Sequence, residues 1–534
     1  MRRGQRSTFE PAGSAVDAAL DALDAGALRE LVRGVLPWLD DKTQARVTGE
    51  IIDRAARSRS DWVPEGPSAE GVVEVLGFAE AARRVGHADP SEVDDYLRQG
   101  INAFLARDYR AAFQIFRALI IPLSECKIDL GQHELLDEVL GVDVVDCAAQ
   151  YVVAMYMTSA PAHRARAVKA AIDDMSAAGH FWHPLEQLER VAVEPLPGFD
   201  DFLKGWNDLV RELAEGEQYD EWDTDVYRWR REVTQRLEGT DGLAAIARST
   251  KRSDDLRAWC RALVEARDWK AALAAHDEAA ETASDKSHAR GDFLDGAALA
   301  AQELGRKDLP KRLERAWRTE PSLLRLCRWL GSAGNKAALT KRVAAATEAC
   351  PREAHRQLAF LHVLGGEMAS AAKLLAGAPG LGWSQREHPG HLLFPMFCRL
   401  LGSTVQDLGL DTGYRGHRGV DLDELELLGQ DRDEPRLQSP SVDDVLALAG
   451  IDTVEGSTAR AAMLKAMQKA AEERLDGVTE HKRRRYYGHA ASLAAACAAV
   501  DASGASEEWL AGLRGEYRRY PALQHEFDRL GSSR

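Results

Sequence analysis

The stretch ARDYRAAF, residues 106–113, has a near copy, ARDWKAAL, at residues 266–273. Five of the eight letters are identical, and the others exchange Tyr for Trp, Arg for Lys and Phe for Leu. Apolar residues recur at helical spacing before and after each copy, which places the Arg-Asp pair at a turn between two predicted helices. The repeat therefore predicts a helical hairpin and argues against a repeated reactive site.

Each predicted hairpin has an aromatic residue directly after the turn and a small residue three positions later. Antiparallel helices approach closely only where a side chain is small, so the alanines are predicted to lie at helix crossings. This arrangement is typical of tetratricopeptide-like repeats. The residues that define it are Asp108, Tyr109, Ala112 and Phe116 in the first copy, and Asp268, Trp269 and Ala272 in the second. His276 occupies the position that corresponds to Phe116, and we interpret it as a histidine at a helix–helix boundary.

Weaker hairpin patterns occur at 297–334, with a turn at Asp308-Leu309, and at 355–380, with a turn at Gly365-Gly366. Runs with strand alternation are almost absent. The sequence thus predicts an all-α fold, an elongated tetratricopeptide-like α-solenoid of divergent helical hairpins, in two or three blocks.

Breaks rich in Pro, Gly and charge suggest how the 534 residues are divided, since a chain of this length exceeds one compact core. We expect an N-terminal helical segment, a first helical block, an aromatic-rich connector, a block of helical repeats, a charged irregular loop and a C-terminal helical block. The corresponding ranges are 1–57, 72–192, 193–241, 242–408, 409–444 and 445–534.

The overall charge is acidic, with 85 acids against 69 Lys and Arg and a formal net charge of −16. Such a chain lacks the basic excess that drives non-specific nucleic-acid binding, although a local patch is compatible with it. The seven cysteines include no CxC or CxxC pair, so they predict neither a disulfide framework nor a zinc knuckle. No secretory signal and no membrane-length apolar run is evident, and we expect a cytoplasmic protein without membrane contact.

The segment AWRTEPSLLRLCRWLGSAG (316–334) and the C-terminal region 481–531 resemble the helical region of bacterial SWIM zinc-finger proteins. The resemblance implies a helical scaffold. The zinc finger of that family needs a CxC pair and a later Cys-x-His, and this sequence has neither, so zinc-dependent DNA contact is not implied. The matching C-terminal residues are Arg485, Tyr486, Ala490, Ala491, Leu513, Arg514, Pro521, Ala522, Leu523 and Leu530.

Motifs for catalysis and cofactor binding are lacking: there is no phosphate loop, GxGxxG, GxSxG or HExxH. The pairs His180/His183 and His388/His391 have a spacing that suits a metal only on a regular helix, which Pro184 and Pro389 disfavour. The acidic sets Asp223/Asp225 and Asp421/Asp423/Glu424 could bind a divalent cation but are typical of solvated loops. We expect no catalytic residue, no cofactor and no metal.

Two groups of residues are candidates for interaction. Arg483, Arg484 and Arg485 with Tyr486 form a basic-aromatic cluster, which can bind phosphates or can be a solvated helix start paired with Glu472 and Glu473. A second group is aromatic and can anchor a partner or seal a joint between helical blocks. Its members are Trp206, Trp222, Tyr227 and Trp229.

Taken together, these features predict a non-catalytic helical-repeat scaffold for protein–protein interaction in an intracellular bacterial complex. The alternative is a nucleic-acid-associated subunit that uses residues 482–487. A third hypothesis is a metal-dependent hydrolase built from dispersed acids and histidines.

Overall fold

The computed structural model describes residues 13–58, 62–131, 136–175, 181–217, 223–283, 289–385, 387–402, 435–452, 454, 457–501 and 503–531. Within these ranges all extended regular structure is helical, and the only β feature is an isolated bridge between His87 and Asp129. None of the described helices is long and apolar enough to span a lipid bilayer. The predicted all-α fold is confirmed.

The chain divides into two compact units, Met1–Ile246 and Ala247–Arg534. The helices of the first unit are α1 (Gly13–Ala22), α2 (Ala25–Val35), α3 (Asp41–Arg57), α4 (Ala69–Val85), α5 (Pro90–Leu105), α6 (Tyr109–Ser124), α7 (Leu136–Val139), α8 (Val144–Thr158), α9 (Arg164–Asp174), α10 (Pro184–Val191) and α11 (Phe199–Gly216). The boundary between the units falls within α12 (Asp225–Thr250), which bends at Gly239.

The second unit continues with α13 (Ser253–Glu265), α14 (Trp269–Thr282), α15 (Ala289–Glu303), α16 (Leu309–Thr319), α17 (Leu323–Gly331), α18 (Lys336–Ala349), α19 (His355–Leu364), α20 (Met368–Ala376) and α21 (Gly390–Leu400). It ends with α22 (Val442–Ala449), α23 (Ser457–Glu480), α24 (Tyr487–Val500), α25 (Ala505–Glu516) and α26 (Pro521–Gly531). From α13 to α20 each helix packs against the next in the chain, as in a helical solenoid.

The turn inside ARDYRAAF is a Schellman motif followed at once by a helix cap. Arg107 has a left-handed backbone (φ +65°) and donates its N–H to the Phe104 carbonyl, 2.9 Å away. The next N–H, of Asp108, reaches back to Ala103 at 2.9 Å. The Asp108 carboxylate then accepts the Ala111 N–H at 3.0 Å and caps α6. One dipeptide thus ends one helix and begins the next.

The same turn recurs in the other predicted hairpins. In ARDWKAAL, Arg267 is left-handed (φ +55°) and Asp268 caps α14 by accepting the Ala271 N–H at 3.0 Å. In the two weaker hairpins glycine takes the left-handed position, at Gly305 (φ +62°) and Gly366 (φ +75°). The residue after each glycine again bonds five residues back. All four predicted hairpins therefore share one turn geometry.

The small residues of the motif are buried, and a glycine also allows a close helix approach in the first hairpin. Ala112 and Ala272 are fully buried. A Cβ added to Gly100 of α5 would lie 2.8 Å from the Phe116 ring, so Gly100 is the residue that lets α5 and α6 meet. In the second hairpin His276 replaces Phe116, and its ring packs on Gly296 of the following helix α15.

The surroundings of the His276 side chain are apolar and offer its ring no hydrogen bond. Neither ring nitrogen has a partner, and the Phe293 ring lies 6.3 Å away between centroids. Burial lowers the pKa of the His276 imidazole to about 4. A neutral histidine thus serves here as a packing residue, in agreement with its interpretation as a boundary residue.

One predicted segment differs from the structure, and a second is mostly not described by it. Residues 193–241, interpreted as a connector, are largely helical, and α11 buries Phe202, Trp206 and Val210 in the core of the first unit. The charged irregular segment 409–444 lies mostly outside the described residues. Its described end contains the start of α22, where Ser441 and Asp444 form a reciprocal capping box.

We expect Arg267→Gly to stabilise the second unit by about 0.5–1 kcal/mol, because glycine adopts the left-handed conformation without the Cβ clash. The matched control is Arg261→Gly, at an exposed position inside α13, which should be destabilising by a similar amount. Urea unfolding of both variants measures the difference. Equal destabilisation by the two glycines would show that the turn carries no strain.

His276→Phe should reduce the acid sensitivity of the protein. The pKa of His276 in the folded protein lies below the ordinary value of 6.5, so the unfolded chain binds a proton here more readily than the folded chain. The protein therefore has its full stability above about pH 6.5 and loses part of it as the pH falls toward 4. Between pH 7 and pH 5 this loss amounts to about 1–2 kcal/mol, which the variant should not show. The exposed His355→Gln is the control, and unchanged pH dependence in His276→Phe would contradict the assignment.

Candidate functional site

Two of the aromatic residues proposed as partner anchors, Trp206 and Trp229, lie in the core of the first unit. Trp206 is fully buried, and its ring centroid lies 5.7 Å from that of Trp229 and 5.9 Å from that of Phe202. The Trp229 indole donates to the Phe181 carbonyl. Tyr227 is also buried. Of the two alternatives for this group, the burial of these three side chains favours packing between helices over anchoring a partner, and Trp222 lies outside the described residues.

An apolar surface does exist, on helix α2 and the 3-10 turn Leu36–Trp38 that follows it. The sequence places Leu28, Leu31, Val32 and Val35 on one face, and none of the residues of α2 is buried. Leu31 is 47% exposed and Val32 38%, while Trp38 is 83% exposed. We call Leu31, Val32 and Trp38 the apolar segment. Helical periodicity places these residues on one face but does not indicate that the face is exposed.

The basic-aromatic cluster sits on a turn of the same type as the hairpins. Lys482 is left-handed (φ +53°), and the N–H of Arg483 reaches back to Val478 at 2.8 Å, which ends α23. The 3-10 turn Arg484–Tyr486 then leads into α24. We call residues 482–485 the basic loop; all four of its side chains are exposed.

The acids expected to neutralise the basic loop are engaged elsewhere. Glu472 accepts a hydrogen bond from the Trp509 indole at 2.8 Å, and Glu473 pairs with Lys469 at 2.8 Å. Across the described ranges, no carboxylate lies within ion-pair distance of Arg483, Arg484 or Arg485. The interpretation that these arginines pair with Glu472 and Glu473 is therefore wrong.

Beneath the basic loop lies a buried arginine. Arg474 is 4% exposed, and its guanidinium carbon lies 4.9 Å from the centre of the Tyr486 ring. Arg485 lies 4.6 Å from the centre of the same ring, so both cations contact Tyr486. Arg474 donates to the Gly380 carbonyl at 3.0 Å, but its Nε has no acceptor. Burial, with Arg483 nearby, lowers the pKa of Arg474 to about 10.

Three histidines surround Trp383 beside this arginine. Ring centroids of His388, His391 and His489 lie 4.6, 5.4 and 4.9 Å from that of Trp383. Burial lowers the pKa of His388 to about 4 and that of His489 to about 3, and the Arg474 charge adds to both shifts. Both imidazoles are therefore neutral near pH 7. The His489 Nδ1 has no hydrogen-bond partner.

The other candidate metal ligands do not converge on a site. Asp223 binds Arg228 at 2.9 Å and Arg231 at 2.7 Å, and Asp225 binds Arg228 at 2.8 Å. His183 precedes α10 without a side-chain cap bond. Within the part of the chain that the structure describes, no group of three His, Cys, Asp or Glu residues has a metal-binding arrangement. His180, Asp421, Asp423 and Glu424 lie outside the described residues.

A cavity of about 650 Å³ opens between α4 and α6 in the first unit. Its charges are largely matched, since Arg83 pairs with Glu80 at 2.6 Å and Lys127 with Glu125 at 2.7 Å. The Phe113 ring forms part of its lining. The cavity is therefore lined mainly by polar and charged side chains, of which these two pairs neutralise each other.

Comparison with protein-family models gives no match, and no curated protein matches the chain. Among solved structures, the chain is similar to one described as a circular tandem repeat protein with novel repeat topology and enhanced subunit contact surfaces. The identity is 14%, the alignment covers 94% of this chain and 92% of that chain, and the TM-score is 0.12. A TM-score this low carries no argument, so the fold assignment depends on the helices themselves.

Substitution of two tryptophans, Trp206 and Trp38, compares the contribution to stability of a buried indole with that of an exposed one. We expect Trp206→Ala to destabilise the protein by about 3–5 kcal/mol, because the indole is fully buried. Trp38→Ala removes an indole that is 83% exposed and should change stability by less than about 0.5 kcal/mol. Chemical denaturation followed by circular dichroism gives both values. A large effect of Trp38→Ala would show that the apolar segment is part of the core.

Proposed function

We propose that the protein is a non-catalytic helical-repeat scaffold that binds other proteins in a bacterial cytoplasmic complex. The observation that carries the proposal is the uncovered apolar segment. Repeated helical hairpins, which present many side chains on rigid elements, support a binding role. The resemblance of the C-terminal region to the helices of SWIM zinc-finger proteins stays a prediction, and it agrees with a scaffold.

The apolar segment has the chemistry of a protein interface. Large apolar side chains gain roughly 25 cal/mol for each Å² of surface removed from water. Exposed tryptophan is among the residues that contribute most to binding when a partner buries it. Leu31 and Val32 share one face of α2, whereas Glu30 and Arg33 lie toward the opposite face. The geometry favours a protein partner that presents an apolar surface to this face.

The test places a photo-crosslinking amino acid, p-benzoylphenylalanine, at Val32 in the full-length chain in cells of its native host. The matched control carries it at Glu30, on the polar face of the same helix. We expect one protein to be cross-linked reproducibly from position 32 but not from position 30. The cross-linked product should also disappear when Trp38 is replaced by alanine.

Other results contradict the proposal. An equal yield from positions 30 and 32, or no product from position 32, would show that the apolar segment binds no protein. A product of twice the chain mass that contains only this sequence would identify the partner as a second copy.

A further inference from the structure

We propose that the basic loop and Arg474 form a binding site for a phosphate group of a small molecule. The chemical class is inorganic phosphate or a phosphomonoester. The site lies in the second unit, and its residues do not overlap the apolar segment, so this inference stands apart from the scaffold function.

The first argument is the lack of a counter-charge for Arg474. A buried cation costs several kcal/mol of stability unless an anion and hydrogen-bond acceptors compensate it. The Gly380 carbonyl supplies one acceptor, and no carboxylate of the described residues lies within ion-pair distance. The charge of Arg483 acts in the same direction as burial and lowers the pKa of Arg474. An anion at this position would neutralise both groups.

The second argument is the placement of the donors. Tyr486 contacts Arg474 and Arg485, so one ring lies against both a buried and an exposed guanidinium. When the flat face of a guanidinium packs on an aromatic ring, its N–H groups point outward in the guanidinium plane and can still donate to an acceptor. Indeed the Nε of Arg474 has no hydrogen-bond partner. The arrangement combines a fixed donor with exposed arginines that a ligand reaches from solvent.

The third argument comes from a neutral histidine in the same cluster. His489 Nδ1 is buried and has no hydrogen-bond partner, and the Arg474 charge acts on the His489 imidazole. Buried polar groups are almost always hydrogen-bonded, so the Arg474 Nε and the His489 Nδ1 are two neighbouring groups that lack a partner.

Phosphate fits these donors better than a nucleic-acid strand does. It carries up to two charges and three strong acceptor oxygens in a small volume, which suits several donors within one cluster. A polyanion is drawn by an extended basic surface, whereas the chain as a whole has a formal charge of −16. The four consecutive cations of the basic loop are therefore suited to a single phosphate group.

The experiment titrates the full-length chain with inorganic phosphate by isothermal titration calorimetry at constant ionic strength maintained with NaCl. We expect saturable binding and a rise in melting temperature with phosphate. Arg483→Ala and Arg485→Ala should each weaken binding on the order of tenfold. The control, Arg315→Ala, removes an exposed arginine of α16 and should leave the affinity unchanged.

Arg474→Met separates a ligand site from a purely structural arginine. Without phosphate, the variant should be at least as stable as the wild type, because it removes a buried unpaired charge. With phosphate, it should gain no stability. Lower stability of Arg474→Met in the absence of phosphate, together with unchanged phosphate binding, would overturn the proposal.

Two further outcomes would also overturn it. Absence of saturable binding excludes a phosphate site, and equal weakening by Arg315→Ala shows a general charge effect. Binding of a single-stranded oligonucleotide that inorganic phosphate does not displace would assign the basic loop to nucleic acid. Glucose 6-phosphate with glucose as its control, added to the same titration, distinguishes a phosphomonoester from inorganic phosphate as the preferred source.

Discussion

The left-handed residue at the end of a helix is the constraint on which the hairpins depend. At Arg107, Arg267, Gly305 and Gly366 it ends one helix with two backbone hydrogen bonds and reverses the chain for the next. A non-glycine residue in this conformation costs roughly 1–2 kcal/mol, which the packing of the hairpin offsets. Because the turn fixes the geometry, the helices around it can differ widely in sequence. Lys482 uses the same turn to expose the basic loop.

Local patterns predicted the turns because both of their requirements are local. Aspartate after the turn is a good helix cap, and Asp108 and Asp268 act as such. The helix crossings were harder to predict, since they depend on residues from different helices. Gly100 meets Phe116 within one hairpin, but Gly296 meets His276 across two successive hairpins. Small residues at a given spacing therefore indicated close packing without identifying the partner helix.

Predicting the candidate sites required knowledge of burial, which periodicity does not contain. Trp206 and Leu31 both lie on apolar helical faces, yet one is in the core and the other is exposed. Charge spacing failed for a similar reason: Glu472 and Glu473 precede the basic loop in sequence but contact Trp509 and Lys469. The sequence identified the exposed cluster at 483–486, but the pairing with Glu472 and Glu473 that it suggested is not found among the described residues.

Among the described residues no carboxylate pairs with the buried Arg474, which is unexpected in a chain with 85 acidic residues against 69 basic ones. Acids are abundant enough to neutralise it, and Asp476 lies only two positions along α23. That carboxylate instead accepts a hydrogen bond from the Tyr517 hydroxyl. Burial and this hydrogen bond together raise the pKa of Tyr517. A carboxylate beside Arg474 would neutralise its charge and stabilise the protein whether or not a ligand is bound. Without such a carboxylate, neutralisation of the Arg474 charge depends on a bound ligand, and binding of that ligand then stabilises the folded chain by mass action.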